Sequence, residues 1–305
     1  MSGKESRPNT ERSTKSSTSA LDLPGPIGGL CFFVSDLHGV VSRYEKLFQA
    51  ILDDPPVAVF MGGDLLPHPA DSTFVESYLF PELSRLREKL GRSYPVFQVI
   101  LGNDDPRCFE PAFQKGEELG FWIYIHNRRH FFRGATVYGY SCVPPTPFLL
   151  KDWERYDVSR YCDPGCVSPE EGVRTVEPDR GDTKWGTITG DLERLTGAEP
   201  VDSGVFLFHS PPYKTCLDRA ALDGRQFDFA PLDVHIGSIA IRRFIETRQP
   251  LLTLHGHVHE SARLTGQWKT TIGRTVCVGA AHDGPEFALV RFDLAAPIEA
   301  TRELL

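Results

Sequence analysis

The stretch CFFVSDLHG, residues 31–39, joins a short apolar run to two side chains that can bind a metal ion. Residues 31–34 have the length and the aromatic and β-branched content of a strand. A continuous apolar run of this kind is typical of a strand whose sheet is covered on both faces. The stretch therefore predicts a buried strand that ends close to Asp36 and His38.

Four further stretches repeat this pattern of an apolar run that ends in Asp, Asn or His. They are VAVFMGGDLL (57–66), FQVILGNDD (97–105), VFLFHSPP (205–212) and LLTLHGHVH (251–259). Helical patterns at residues 43–52 and 74–90 separate the first three runs. Strands that alternate with helices pair in parallel through right-handed crossovers, and ligands gather at the carboxyl ends of such strands. We therefore expect the five polar ends to converge.

Other segments carry weaker local signals. Residues 238–247 predict an amphipathic helix with Ser238 as its N-cap. Residues 275–294 predict two strands around a turn at 283–285 that complete a second sheet. Residues 1–27 predict a disordered tail, because Ser, Thr, Arg and Lys dominate there. The remainder, 28–305, is expected to form one domain with a long insertion at about 138–200.

The insertion at 138–200 is rich in Pro, Gly and aromatic residues and shows no clear periodicity. Segments of this length without periodicity are usually functional or mobile. One interpretation is a wall or lid over the site, from which Lys151, Arg155, Tyr156 or Arg160 reaches the substrate. The other is a solvated excursion with its own small aromatic core.

Composition narrows the class of protein. The 305 residues are 40% hydrophobic and carry a formal net charge of −8. This length allows a sizeable core, and the charge offers no overall basic surface for nucleic acid. No apolar run approaches the roughly 20 residues that a membrane span requires. The seven cysteines are odd in number and scattered, which favours reduced thiols in a cytoplasmic protein over a disulfide framework.

Seven side chains at the strand ends are candidate metal ligands: Asp36, His38, Asp64, Asn103, His209, His257 and His259. Oxygen and imidazole ligands without thiolate suit Mn, Fe, Zn or Mg. Seven ligands exceed what one ion with an open position would use, whereas two ions that share a bridging carboxylate account for all of them. The pattern therefore indicates a dinuclear site.

The five motifs DLHG, GGDLL, GND, a histidine before SPP, and GHVH follow strands in this order. Together they resemble the signature of the calcineurin-like metallophosphoesterases, over roughly residues 29–295. The resemblance implies an α/β sandwich of two mixed β-sheets flanked by helices. It also implies a metal-dependent hydrolase that acts on a small phosphate ester.

Carried over position by position, the resemblance implies that Asp36, His38 and His259 bind the first ion. Asp64 would bridge both ions. The two divalent ions are expected to be manganese, with Fe, Zn, Ni and Mg as alternatives.

The second ion would be bound by Asn103, His209 and His257. His255 precedes the GHVH motif and is expected to lie in the core or behind the ligands.

Two divalent cations lower the pKa of a shared water, and the resulting hydroxide can attack phosphorus in line. The expected catalytic residues are Asp64, Asn103 and Asp104. Many family members have GNH where this sequence has GND, so Asp104 stands in the place of a histidine that, by the resemblance, protonates the leaving group or steadies the phosphate. A carboxyl group near two cations is a weak proton donor at pH 7. His235 and His282 are the spare candidates for that role.

The loss of this histidine favours phosphodiesters or substrates with good leaving groups. Two other classes of function stay open at this point. One is a phosphomonoesterase or protein phosphatase, and the other is a non-catalytic interaction scaffold on the same fold.

Overall fold

The computed structural model describes residues 28–71, 73–178 and 180–305, so the predicted tail at 1–27 lies outside the described residues. Two six-stranded sheets and flanking helices form an α/β sandwich, and a two-stranded hairpin lies apart from them. The predicted fold class is therefore confirmed.

The first sheet has the strand order β14-β13-β1-β2-β3-β4. Its strands are β1 Leu30–Val34, β2 Ala58–Gly62, β3 Val96–Ile100, β4 Ile123–Tyr124, β13 Ala288–Asp293 and β14 Thr301–Leu304. Strands β1 to β4 pair in parallel, as the alternating pattern predicts. Strands β13 and β14 add antiparallel pairs at the other side of β1, which makes the sheet mixed.

The second sheet has the order β11-β12-β10-β7-β6-β5. Its strands are β5 Arg128–Phe132, β6 Ala135–Tyr140, β7 Gly204–Phe208, β10 Leu252–His255, β11 Lys269–Ile272 and β12 Thr275–Gly279. The four central strands are parallel, and both edge strands are antiparallel. The carboxyl ends of β7 and β10 therefore face the same edge of the sandwich.

Both faces of the central strands β1, β2 and β7 are buried, which explains why their sequences are apolar without interruption. Phe33 and Phe60 belong to the core between the two sheets, together with Leu207 and Leu254. Phe32 points the other way, into the core beneath the outer helices. Burial on both faces fixes the register, because a slip of one residue would exchange the two sets of side chains.

The helices are α1 Val41–Asp53, α2 Phe80–Leu90, α3 Glu110–Glu118, α4 Arg180–Trp185, α5 Ile188–Thr196, α6 Ile239–Arg248 and α7 Ser261–Thr265. The helical pattern at 74–90 becomes a π-helical turn over Val75–Leu79 followed by α2, with Pro81 in the first turn of α2. Ser238 caps α6 as predicted, since its hydroxyl accepts the backbone N–H of Ile241 at 3.0 Å.

The final strands differ from the expectation in one respect. Strand β12 lies in the second sheet, but β13 crosses to the first sheet and pairs with β1. The turn at 283–285 therefore connects the two sheets and does not close a hairpin. The sequence around the turn specifies a reversal but not the partner of the strand that follows.

Residues 138–140 of the expected insertion belong to β6, and α5 is the crossover between β6 and β7. The irregular part of the insertion therefore lies between residue 141 and α4. A second irregular connection follows β7 and contains the hairpin of β8 Gln226–Phe227 and β9 Ala230–Pro231. Within the described ranges, no helix combines the length and the apolar character needed to cross a bilayer.

Candidate metal centre

The loops that follow β1 and β2 are joined by backbone hydrogen bonds. The N–H of Asp36 donates to Gly63 at 3.0 Å, and the N–H of His38 donates to Asp64 at 2.8 Å. The loop after β3 joins them, because the N–H of Asp104 donates to the Asp64 carboxylate at 2.9 Å. The three predicted strand ends of the first sheet therefore do converge.

The loop after β10, from the second sheet, meets the same point. The backbone N–H of His257 donates to the Asp36 carboxylate at 3.0 Å. Gly256 permits this approach, since a Cβ there would lie 2.0 Å from the hydroxyl of Ser35. Gly102 has the equivalent role beside Asp64, where a Cβ would lie 2.2 Å from a carboxylate oxygen. The glycines of GND and GHVH are thus required by close packing.

Four of the seven candidate ligands have a left-handed backbone. The φ angles are 58° at Asp36, 48° at His38, 53° at Asp64 and 74° at His257. Residues other than glycine rarely adopt this region, and each costs about 1–3 kcal/mol unless the surroundings hold it. Such outliers cluster at functional sites, so the loops hold these side chains in place at some cost in stability.

One group of donor atoms comes from Asp36, His38, Asp64 and His259, with one ligand atom of each lying within 4.8 Å of the others. The Nε2 atoms of His38 and His259 face each other at 3.2 Å. The same Nε2 of His259 lies 3.2 Å from Asp36 Oδ1. This is the set that the resemblance assigns to the first ion together with the bridging carboxylate.

A second group surrounds His209, which is fully buried at the end of β7. Its Nδ1–H donates to the carbonyl oxygen of Gly62 at 2.8 Å, which directs Nε2 towards the other donors. Nε2 lies 3.0 Å from Asn103 Oδ1 and 3.2 Å from Asp64 Oδ2. The His257 ring lies 5.2 Å from the His209 ring, measured between centroids. All seven predicted ligands are thus in two adjoining groups that share Asp64.

The electrostatics of these groups show that they fit cations. Burial lowers the pKa of His209, but the Asp64 charge and hydrogen bond raise it to about 10. Burial likewise lowers the pKa of His259, and its hydrogen bond and ion pair with Asp36 raise it to about 9. Without cations, protons must separate carboxylate and imidazole lone pairs that point at one another. Divalent cations between the same atoms satisfy more donors at once, so the donor chemistry fits two metal ions.

Asp104 lies beside this cluster and accepts the side-chain N–H of Asn103 at 2.9 Å. Burial and the neighbouring Asp64 charge raise the pKa of Asp104. Two nearby cations would lower the same pKa, so burial and the Asp64 charge oppose the effect of the cations. The geometry places Asp104 at the mouth of the site, where the resemblance implies a histidine.

Asp105 organises the cluster, a role that sequence reasoning missed. Its buried carboxylate accepts the backbone N–H groups of Leu65 at 2.9 Å, Leu66 at 2.8 Å and Gly102 at 2.9 Å. These bonds connect the loop that carries Asp64 to the loop that carries Asn103. An acid directly after GND was the only available signal, because two of its three partners lie about 40 residues away.

A cavity of about 450 Å³ opens from the donor groups and is lined in part by Asp64, Asn103, His257 and His259. Its apolar wall includes Pro144, Pro147, Phe148, Val158, Tyr161 and Ile236. Its carboxylates, besides Asp64, are Asp104, Asp157, Asp163, Asp233 and Glu260. No Lys or Arg is among the described residues that line it. Because many of the lining residues fall within 144–166, the irregular part of the insertion forms a wall of this cavity.

The cationic side chains proposed to reach the substrate from the insertion are used elsewhere. Lys151 is fully buried, and its ammonium donates to Glu154 at 2.5 Å. Arg155 forms ion pairs with Asp182 and Asp191. Neither cation lines the cavity, because each neutralises a carboxylate within the insertion itself.

Tyr156 and Arg160 share one partner in the same segment. The Tyr156 hydroxyl donates to Glu170 at 2.8 Å, and the Arg160 guanidinium donates to the same carboxylate at 2.5 Å. Neither residue lines the cavity, so the expectation that either one reaches the substrate is not supported.

The three other histidines singled out from the sequence differ in whether they line the cavity. His255 is fully buried, with Nδ1 at 2.9 Å from the Ser210 carbonyl and Nε2 at 2.8 Å from the Thr253 hydroxyl. It therefore lies in the core behind the ligands, as expected. His282 pairs with Glu286 at 3.5 Å and does not line the cavity, whereas His235 does.

Comparisons with known proteins agree with this arrangement. TT1561 of Thermus thermophilus, a solved structure, is 18% identical to this chain with a TM-score of 0.54, over 90% of this chain and 98% of that one. Another solved structure is 16% identical with a TM-score of 0.56, over the same shares of the two chains. These similarities concern the fold alone. A family model of the calcineurin-like phosphoesterases matches residues 31–261, a range that contains all five motifs and all seven donor residues. The chain therefore belongs to the family of calcineurin-like phosphoesterases, which are metal-dependent hydrolases of phosphoric esters.

Proposed function

We propose that this protein hydrolyses phosphodiesters that carry an uncharged, largely apolar substituent. One observation carries the proposal: the donor cluster opens directly into a cavity with apolar walls and carboxylates but, among its described lining residues, no Lys or Arg. Divalent cations bound by the seven donors would supply an activated water at neutral pH and would offset the charge of the phosphoryl oxygens. Besides those cations, no Lys or Arg among the described lining residues is available to a second anion.

This charge balance favours a diester over a monoester. A phosphodiester carries one negative charge at neutral pH, whereas a monoester carries close to two. Asp104, Asp157 and Asp233 line the cavity and would repel the additional charge. The volume also leaves room for a second ester group. For the same reason, nucleic acids and polyphosphates, which need several cationic contacts, fit this cavity poorly.

The protein's own side chains define the reaction geometry. Asp64 lies between the two donor groups and fixes their separation, since it contacts His209 and accepts the N–H of Asp104. The Asn103 amide contacts both His209 and Asp104, which orients it at the border of the cavity. With the phosphorus above Asp64, the attacking water would come from the side of the seven donors. The ester group would then depart in line, on the side of the cavity.

The types of donor support a proposal for the metal, and the cysteines support one for the compartment. Carboxylate, amide and imidazole donors without thiolate support manganese as the bound ion. All seven cysteines are free thiols, which supports a reducing compartment such as the cytoplasm.

The test compares hydrolysis of bis-p-nitrophenyl phosphate and p-nitrophenyl phosphate by the purified protein with added Mn²⁺. We expect kcat/KM to be higher for the diester, and we expect a chelator to abolish both activities. A higher kcat/KM for the monoester would overturn the diester preference in favour of a phosphomonoesterase. If the protein binds Mn²⁺ but cleaves neither compound nor any diester with larger apolar groups, the scaffold interpretation replaces the enzyme.

A further inference from the structure

We propose that His235, oriented by Asp218, donates the proton that the leaving oxygen of the substrate requires. This inference rests on the proposed phosphodiester hydrolysis and assigns one further residue to it. His235 and Asp218 both lie in the connection between β7 and α6, outside the five metal motifs. Neither residue belongs to the donor cluster.

The imidazole of His235 is fixed by a buried carboxylate. Its Nδ1 lies 2.8 Å from Asp218 Oδ1, and the Asp218 side chain is fully buried. The same carboxylate accepts the backbone N–H groups of Lys214 and Thr215 at 2.8 Å and of Gly237 at 3.2 Å. A carboxylate held by three backbone donors cannot turn away. It therefore keeps the Nδ1 proton of His235 in place and fixes the orientation of the ring.

The other ring nitrogen is available to a substrate. His235 lines the 450 Å³ cavity together with Asp64 and Asn103, and its side chain is 26% exposed. Nε2 has no hydrogen-bond partner among residues 28–71, 73–178 and 180–305. A buried carboxylate on one nitrogen and an open cavity at the other is the arrangement by which a histidine exchanges protons with a bound substrate.

The groups that contact His235 are consistent with this role. The Tyr213 ring meets it edge-on, with 6.2 Å between centroids, and Tyr213 donates its hydroxyl proton to Asp233 at 2.5 Å. Asp233 also accepts the backbone N–H of His235 at 2.9 Å. The acidic groups bonded to this residue are thus Asp218, at Nδ1 of the ring, and Asp233, at the backbone N–H, and neither is bonded to Nε2.

The catalytic cluster itself offers no comparable donor. The other imidazoles that line the cavity, His257 and His259, belong to the donor groups that fit the cations. Asp104 occupies the position of the family's histidine and is held by Asn103. Among the described lining residues, His235 is the one imidazole that is not a candidate metal ligand. The proton donor therefore lies in the connection between β7 and α6 and not in the loop after β3.

The proposed step is balanced in atoms and charge. The oxygen of a water forms a bond to phosphorus as the bond between phosphorus and the leaving oxygen breaks. The electron pair stays on the leaving oxygen, which takes the proton from His235 Nε2 and departs as a neutral alcohol. The water loses one proton, and Nε2 regains one from solvent. The net reaction is diester plus water to monoester plus alcohol.

Two other histidines are rivals for this role. His68 is exposed and does not line the cavity, although its charge would lower the pKa of Asp104, so it lies near that side chain. His282 pairs with Glu286 outside the cavity. Replacement of each rival by Gln gives matched controls, because the same chemical change is made at three histidines.

The experiment compares the hydrolysis of diphenyl phosphate and bis-p-nitrophenyl phosphate with added Mn²⁺. Phenol is a much poorer leaving group than p-nitrophenol, so protonation matters more for diphenyl phosphate. His235→Gln should lower kcat for diphenyl phosphate by about 10²-fold or more, and for bis-p-nitrophenyl phosphate by less than about tenfold. Asp218→Asn should lose activity with the same selectivity but to a smaller extent. Bound Mn²⁺ should be unchanged in both.

Equal losses of activity towards both diesters, or a selective loss in His68→Gln or His282→Gln instead, would overturn the role of His235. A structural role would lower the thermal midpoint and would show no dependence on the leaving group, so unfolding is recorded for every variant. The outcomes also separate this inference from the proposed function. If the native protein binds Mn²⁺ but hydrolyses neither diester, the proposed function fails. If the native protein is active and His235→Gln loses activity equally towards both diesters, only the role of His235 is overturned.

Discussion

The two sides of the 450 Å³ cavity are built in different ways. The catalytic side consists of short loops at the ends of buried parallel strands, and four of its residues have a left-handed backbone. The wall consists of two irregular connections, from residue 141 to α4 and from residue 211 to α6, and it includes exposed side chains such as Phe148 and Tyr161. The donor cluster is therefore set by the ends of the sheets, and the wall is built from segments that can change without disturbing the sheets.

The largest effect is expected where the two sheets meet. Asp64→Asn should lower kcat/KM at least about 10³-fold, because loss of the shared carboxylate weakens both halves of the donor cluster. Bound metal, measured by elemental analysis, should fall in parallel. Asp202→Asn is the control, since Asp202 forms an exposed ion pair with Arg274. Normal turnover with a full metal content in Asp64→Asn would show that Asp64 does not bind the metal ions.

Asp105→Asn tests whether the catalytic side needs its fixed loops. An amide keeps one acceptor but points N–H groups at the donors of Leu65, Leu66 and Gly102. The free energy of unfolding should fall by about 1–3 kcal/mol, and metal affinity should fall by about 10–100-fold. Urea unfolding and metal titration measure these two effects. Lower stability with undiminished metal affinity would show that Asp105 supports the fold only.

Asp157→Ala is the corresponding change on the wall. Asp157 accepts the Ser238 hydroxyl at 2.6 Å and the N–H groups of Ile239 at 2.7 Å and Ala240 at 3.1 Å, and so anchors the insertion on the first turn of α6. Loss of these bonds should cost about 1–2 kcal/mol of stability. Because Asp157 lines the cavity and is not one of the seven donor residues, KM should rise while metal content stays constant. If metal binding falls as it does in Asp105→Asn, the two sides are not independent.

The smallest effect is expected at the rim. Phe148 lines the cavity and is 59% exposed, so Phe148→Ser should remove about 1 kcal/mol of apolar contact with an aryl substituent. That corresponds to a KM about fivefold higher for bis-p-nitrophenyl phosphate, with little change for a methyl ester of similar reactivity. Phe131→Ser, on the edge strand β5, is the control because Phe131 does not line the cavity. A change of equal size for both substrates would show that Phe148 does not select the substituent.

The catalytic side could be predicted from sequence because its signals are local. A run such as residues 31–34 must be a buried strand, and Asp36 directly after it must lie at the strand's carboxyl end. Parallel pairing then brings the ends together without knowledge of any long-range contact. The resemblance supplied the pairing of individual residues, and the geometry places all seven in two groups around Asp64.

The wall could not be predicted in the same way, since its partners are set by tertiary contacts. Lys151 looked available to a substrate, but Glu154 neutralises it in a buried pair. His235 looked equivalent to His282, and only the fold shows that Asp218 orients one of them towards the cavity. The sheet expected for β13 was wrong for the same reason, because a strand's own residues do not name its neighbour.

The crossing of β13 to the first sheet has a consequence for how the molecule forms during synthesis. Strand β1 is translated more than 250 residues before β13, its partner on one side. Until then β1 exposes an apolar edge that can pair with other chains, which is a state that chaperones protect. The same delay separates Asp36 from His259, which lies 223 residues further along the chain. A nascent chain therefore cannot complete the metal centre until His259 has been added, so hydrolysis cannot begin before that point.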